Sequence, residues 1–413
     1  MERDTSVSPD RTIALSAPDI GEREIAAVVD VLRSRSLALG PVTERFEEAM
    51  AARFGARHGV AVSSGTAALH LAMIAAGVRD GDLAVTTPMS FVASSNAILY
   101  ERGIPVFTDV DPVTLTMDPG RALEAMDALV HHRPGWRRLL PRSCNPTTGN
   151  LRALVPVHVF GRPTEMRAIV PAARELGVAI IEDACEAIGA TADGVAAGRW
   201  GAASVFGFYP NKQITSGEGG MILTDDEAWA RLFRSLRNQG RSDDARWLRH
   251  DRLGYNYRLD EMSSALALVQ LARLDELLRA REAVAERYAY GLAPLDGVSL
   301  LAPPRPGMSV SWFVYAVRLA PDVDRDLLMS RLLARGIACR PYFWPIHLQP
   351  FYRERFGYRP GDFPAAEAAG RSMLALPFSS VLPPEDVDHV CHVFAQELAR
   401  ARGSAIPLAM AGD

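Results

Sequence analysis

Lys212 is the only lysine in a chain whose Lys and Arg together number 45. Arginine meets every other need for positive charge. A guanidinium stays protonated and does not condense with an aldehyde, whereas an amine with a lowered pKa forms an imine. The retained amine points to imine chemistry; the alternative is a residual surface lysine in an arginine-rich sequence. Its neighbours decide between the two. Ala203 to Lys212 reads as a hydrophobic strand that delivers the lysine, and Gly217-Glu218-Gly219-Gly220 beyond it leaves room for a bulky ring. Upstream, Ile180-Ile181-Glu182-Asp183 is a buried strand ending in a carboxylate. Asp183 there suits a protonated pyridine nitrogen, or else caps a following helix. Ser63-Ser64-Gly65-Thr66 lies between a strand and a helix, where free N–H groups and the helix dipole suit a phosphate. Many helices start with such a cap, so the turn is weak alone. Phosphate anchor, strand-end carboxylate and lysine in that order, with 29 residues from Asp183 to Lys212, are what pyridoxal phosphate chemistry requires.

Those residues need a scaffold that brings them to one edge. Glu24 to Arg33 and Val42 to Phe54 read as amphipathic helices, and Val60 to Val62 as a strand before an Ala/Leu-rich helix from Ala67. Leu83 to Thr87, Val106-Phe107, Leu154 to Val159 and Val178 to Ile181 are short apolar runs, with a helix expected over Phe91 to Arg102. Such runs suit strands buried on both faces of a parallel sheet. Alternating strands and helices imply a wound α/β sheet that binds ligands at the carboxyl ends of its strands. Leu259 to Tyr290 reads as one long helix, followed by a Pro-rich connection over Pro294 to Pro306. Trp312 to Leu319 is an alternating strand, and Asp324 to Arg335 and Pro384 to Ala401 are helices; Arg402 to Asp413 reads as a frayed end. The expected organisation is an N-terminal segment (1–20), a large cofactor-binding domain (21–291) and a small C-terminal α+β domain (292–413).

Composition narrows the class. At 413 residues the chain exceeds one small core, and 48% hydrophobic with 23% charged residues suits a globular enzyme. A net charge of -4 without a basic stripe argues against nucleic-acid binding. The polar start, Met1 to Arg11, and the lack of a long apolar run imply neither a signal peptide nor a membrane span, so a cytoplasmic protein is expected. The four cysteines have no CxxC spacing, and His131-His132 has no further ligands at metal spacing, so no metal is expected. His131 to Arg152 breaks the rhythm with five arginines. It suits either a phosphate-bearing substrate or a solvated surface loop.

From about Leu39 to Val390 the chain resembles the sugar aminotransferases of the DegT/DnrJ/StrS family. The likeness rests on Gly40-Pro41, Ser63-Ser64-Gly65-Thr66-Ala67-Ala68-Leu69, Thr87-Pro88, Pro156-Val157-His158-Val159-Phe160-Gly161, Glu182-Asp183-Ala184, Gly217-Glu218-Gly219-Gly220 and Tyr255-Asn256-Tyr257-Arg258-Leu259. Phe-Tyr-Pro-Asn-Lys-Gln-Ile-Thr around Lys212 resembles the perosamine-synthase-like branch. The resemblance implies a PLP-dependent transferase of fold type I, working as a homodimer with active sites at the subunit interface. It implies that Lys212 bonds to the cofactor and shuttles a proton, and that Asp183 pairs with the pyridine nitrogen. Gly65 and Thr66 then bind the phosphate, Phe91 stacks on the ring, and His158 lies near it. Glu186 takes a position near the cofactor usually held by Gln, and Asn238 reaches the phosphate across the dimer interface. Arg258, Tyr342 and His347 are substrate-side candidates, while Phe343 and Trp344 are expected to pack in the core.

Two features depart from the family pattern. Gly207 stands where Ser often contacts the phosphate, and the 131–152 insertion exceeds what most relatives carry. The implied reaction moves an amino group from L-glutamate to the ketone of a nucleotide-linked deoxyhexose. A cyclitol acceptor and a non-catalytic paralogue that binds cofactor or nucleotide sugar stay open. The dehydratase branch replaces the lysine by histidine, so Lys212 argues against it.

Overall fold

The computed structural model describes residues 11–144, 149–242 and 248–402. Thirteen strands are formed by the described residues. The central sheet contains β1 (His58–Val62), β2 (Leu83–Thr86), β3 (Ile104–Phe107), β4 (Leu151–Leu154) and β5 (Ala179–Asp183). After a small hairpin of β6 (Thr191–Ala192) and β7 (Val195–Ala196) it continues with β8 (Ala203–Gly207) and β9 (Gly220–Thr224). The order across it is β1-β9-β8-β5-β4-β2-β3. β2, β3, β4, β5 and β8 run parallel, whereas β9 is antiparallel to both β8 and β1. The expected wound, mostly parallel α/β sheet is therefore present. A smaller antiparallel sheet joins β10 (Val298–Leu300), β12 (Tyr315–Leu319) and β13 (Met373–Leu376), while β11 (Met308–Ser309) pairs with the hairpin.

Strand alternation explains why helices cover both faces. Val60, Val62, Ala84, Val205 and Ile222 pack on one face with α3 (Gly65–Ala75) and α7 (Glu227–Arg237). Leu83, Val85, Val106 and Ile180 turn to the other, against α5 (Pro119–His131) and α6 (Met166–Glu175). Ala61, Phe206 and Met221 share that side with α2 (Pro41–Phe54) and α8 (Glu261–Ala272). A period of two that is apolar on both faces is what a doubly covered sheet demands. The separate cluster around the small sheet includes Val317, Leu328, Val390 and Phe394, together with Tyr288 from α9 (Leu274–Leu292) and Ile13.

Three expected elements are placed differently. The run Leu154 to Val159 is not a strand; β4 ends at Leu154, with Arg152 inside it. Pro156 has no N–H to give, and beyond β4 the chain keeps a single bridge, Val157 to Asp183. The long helix over Leu259 to Tyr290 is two helices that break at Arg273. That guanidinium is drawn to Asp19 at 3.0 Å and Glu24 at 2.8 Å, both distant in sequence. The helix expected from Phe91 begins at Ala93 as α4 (Ala93–Tyr100) and leaves Phe91 on the connecting loop. Asn145 to Thr148 of the insertion and most of the expected frayed end lie outside the described residues.

One buried carboxylate sets the start of α2. Glu261 accepts from the backbone N–H groups of Gly40 at 3.0 Å, Val42 at 2.9 Å and Thr43 at 2.9 Å. Burial pushes its pKa up, but the Thr43 hydroxyl and those three N–H groups outweigh it and hold it below the usual range. Glu261→Gln is expected to lower stability by about 2 kcal/mol near neutral pH, read from urea denaturation. Because the folded pKa is depressed, this difference is complete above 4.5 and closes as pH falls through the folded value.

Candidate active site

The carboxyl edge of the sheet gathers the chemistry. Ser64, extended at φ -167°, caps α3 by accepting from the N–H of Ala67 at 3.0 Å. Gly65 and Thr66 follow as the first turn, with free N–H groups facing the edge. A side chain at the start of this turn would press on Cys185 beside β8. A Cβ on Gly65 would meet Cys185 Sγ at 2.9 Å and the Gly207 Cα at 3.4 Å. The strand leaving Gly207 turns at Tyr209, and Lys212 enters a cavity of about 560 Å³. Gly65, Thr66, Phe91, Asp183, Glu186, Gly207, Lys212 and Tyr342 all line it.

Lys212 is held at both ends. Its carbonyl accepts from Arg281 Nη2 of α9 at 2.7 Å, and the same guanidinium reaches the Phe313 carbonyl at 3.2 Å. Arg281 is wholly buried, and desolvation pushes its pKa down to about 10. At the other end, Nζ lies 3.9 Å from the Phe313 ring centroid and 3.8 Å from Glu186 Oε1. Glu186 Oε2 accepts from the Phe160 N–H at 2.9 Å, and Gln213 donates to the Glu186 carbonyl at 2.6 Å. Burial raises the Glu186 pKa, with the Lys212 charge opposing that rise. Burial also raises Tyr342, and the Glu186 charge adds to it.

Asp183 ends β5 at the cavity wall. Its Oδ2 accepts from Ser94 Oγ at 2.7 Å, and Oδ1 from the Cys185 N–H at 3.2 Å. No helix follows β5, since residues 184–190 are turns, so Asp183 is not a helix cap. Phe91, at the mouth, is 60% exposed. The set fits pyridoxal phosphate: an amine, an anchored carboxylate, a helix start led by a glycine and an aromatic at the opening.

Four expected residues are not among the cavity lining. The ring of His158 is fully buried: Nδ1 accepts from the Thr164 N–H at 3.0 Å, which leaves Nε2 to donate to Glu182 at 2.9 Å. Only its backbone serves the site, donating to the Asp183 carbonyl at 3.0 Å. His347 is likewise buried, with Nε2 3.1 Å from Glu367 and a pKa lowered by desolvation. Its neutral ring packs on Phe363, centroids 4.8 Å apart. Asn238 and Arg258 bond to each other at 3.0 Å, outside the cavity of their own chain. Of the two aromatics expected in the core, Trp344 is 57% exposed, while Phe343 packs on the core by stacking on buried Phe160 at 5.7 Å and also lines the cavity.

Sequence reasoning missed Ser94, Arg281 and Phe313. Arg281 carried one signal, a lone charge that α9 buries among apolar positions. The insertion builds a separate cavity of about 750 Å³, lined in part by Arg121, Trp136, Arg137 and Arg138. It is fastened to the C-terminal part of the chain by Arg142, which pairs with Asp362 at 2.5 Å.

The sequence profile of the DegT/DnrJ/EryC1/StrS aminotransferase family matches residues 18–395. The chain is 35% identical to a GDP-perosamine synthase of Caulobacter vibrioides over 390 residues, covering 94% of this chain and 98% of that one. Among solved structures it resembles the aminotransferase TlmJ of Streptoalloteichus hindustanus (33% identity, TM-score 0.82, 94% and 99% of the two chains). It also resembles DesV of S. venezuelae in complex with a ketimine intermediate (32% identity, TM-score 0.81, 93% and 98%).

Gly207 offers a test of the cradle. A Cβ there would lie 3.4 Å from Cys185 Sγ and 3.8 Å from the Gly65 Cα, ordinary contacts that leave room for a hydroxyl. Gly207→Ser is expected to fold normally and bind pyridoxal phosphate roughly tenfold more tightly, by one added charge-assisted hydrogen bond. Gly65→Val, forced onto Cys185, is expected to weaken binding at least about tenfold. Absorbance titration of the cofactor-free chain measures both.

Proposed function

The chain belongs to the DegT/DnrJ/EryC1/StrS aminotransferase family, and on that premise we propose the following reaction. It uses pyridoxal phosphate to move an amino group from L-glutamate to the keto group of a nucleotide-linked (deoxy)hexose, giving an amino sugar. The observation that carries the reading is the chain's only lysine entering a cavity walled by Asp183 and the start of α3.

When bound, the cofactor supplies an aldehyde that accepts the donor nitrogen and an electron sink for the bonds at the reacting carbon. The protein's residues do the rest. Lys212, once released as a free amine, would take the proton from the donor carbon and return it across the nitrogen, two atoms away, in a 1,3-shift. Arg281 fixes its backbone, and the Phe313 ring lies beneath Nζ. Asp183, oriented by Ser94, would accept from the pyridine nitrogen of the bound cofactor. The N–H groups of Gly65 and Thr66 hold the phosphate, and Phe91 covers the ring and excludes water.

Room for the acceptor supports a large substrate. A second cavity, about 740 Å³, shares Phe91 and Phe343 with the first and continues along Tyr100, Trp344, Phe351 and Arg355. In this reading aromatic faces meet the base, and Arg355 meets the diphosphate. The working unit is a homodimer in the cytoplasm, in which Asn238 and Arg258 serve the cavity of a second copy.

The purified chain is expected to be yellow with pyridoxal phosphate and to bleach on adding L-glutamate. A yellow chain indifferent to glutamate would remove the donor assignment, and a chain that takes up no cofactor would remove the whole reading. Lys212→Ala is expected to lose the yellow band and to lower turnover with an NDP-keto-hexose by about 10⁴-fold. Normal turnover in that variant would exclude Lys212 as the proton carrier.

A further inference from the structure

Glu186 stands where the family resemblance implies an uncharged amide, and the exchange places a carboxyl group beside Lys212. We propose that Glu186 is the proton partner of Lys212, the two side chains carrying one exchangeable proton between them. The inference rests on the proposed function for its catalytic meaning, but on geometry for its existence.

Three observations carry it. Glu186 Oε1 lies 3.8 Å from Lys212 Nζ, within the reach of lysine's rotatable stem to hydrogen-bond distance. Both groups line one cavity and are largely buried, so water does not screen them from each other. The carboxyl's other oxygen is committed to the Phe160 N–H at 2.9 Å, which leaves Oε1 turned to the amine. Desolvation disfavours the carboxylate, as its raised pKa reflects. Burial works against the charged pair, carboxylate and ammonium, relative to the neutral pair, carboxylic acid and amine. Passing one proton from Nζ to Oε1 converts the first to the second, with no other reactant.

The surrounding charges agree with that balance. Asp183, at the end of β5, raises Glu186 by repulsion, and Tyr342 and the Cys185 thiol face the same space. Glu218 also lines the cavity. Arg281 lies beneath the Lys212 backbone, bonded to its carbonyl. Lys212 must lose its proton before it can attack an aldehyde or act as a base. Glu186 gives that proton a place inside the cavity and returns it when the amine is released.

A single lysine makes the test direct. Labelling the chain with lysine carrying carbon-13 at Cε yields one lysine signal, that of Lys212, in the full chain freed of cofactor. In the wild type this signal is expected to titrate in two steps, the lower one reporting Glu186 above its ordinary value of 4.5. Glu186→Gln is expected to remove the lower step and drop the Lys212 pKa by about one unit or more. Glu186→Asp, which keeps the charge, is expected to restore two steps. A single wild-type step, or an unmoved Lys212 in Glu186→Gln, would overturn the pairing. Should Glu186→Gln not fold, the wild-type curve alone decides. Uptake of pyridoxal phosphate is read separately by absorbance. Coupled titration without uptake would sink the proposed function and keep the pair; uptake with uncoupled titration would do the reverse.

Discussion

Three backbones meet without side chains at one point of the sheet, and the site depends on that contact. β9 runs reversed between β1 and β8, and Gly220 is in register with Val62 on one side and Gly207 on the other. A Cβ on Gly220 would lie 2.5 Å from the Ser64 backbone. Only this closeness lets the first turn of α3 sit against the strand that carries Lys212. The anion-binding end of one helix and the amine of a distant segment thus become walls of one cavity. A larger residue at Gly220 would push α3 off the edge and separate phosphate from aldehyde.

Around that point, adjacent carboxylates have opposite duties. Glu182 and Asp183 are consecutive in β5, so alternation sends their side chains to opposite faces. Glu182 is saturated by His158, by the Gly198 N–H at 2.8 Å, and by those of Trp200 at 2.6 Å and Gly201 at 2.7 Å. These four donors pin a loop and leave its oxygens no lone pair for chemistry. Asp183 keeps acceptor capacity turned to the cavity while Ser94 fixes its orientation. Sequence alone grants both residues the same promise; which face each occupies decides their roles.

The same distinction explains what was legible. Lys212, Asp183 and Gly65 were readable because strand ends and helix starts converge on one edge in any wound sheet, whereas Glu186 was reached only through the family resemblance. His158 and His347 were not, because a motif position does not say whether a ring turns to the cavity or the core. Arg273 and Ile13 were hidden for another reason. The break between α8 and α9 comes with ion pairs to Asp19 and Glu24, and Ile13 joins the small sheet's cluster beside Ile337. Contacts of such sequence separation leave no periodicity behind. The β4 run was misjudged by the opposite error: apolar residues continued past Pro156 although the ladder had ended.

The arginine bias has a physical consequence at this site. Arg281 is buried close to Lys212, bonds its carbonyl, and has its pKa lowered to about 10 by desolvation alone. An amine in that place would lose its proton far more readily, since a buried ammonium is easily shifted and a guanidinium is not. It would then be a second nucleophile near an aldehyde meant for one. Arginine supplies the planar fork that clamps the Lys212 and Phe313 carbonyls. It does so without competing for the aldehyde. A solitary lysine beside a buried arginine is thus a division of labour, with reactivity in one residue and position in the other.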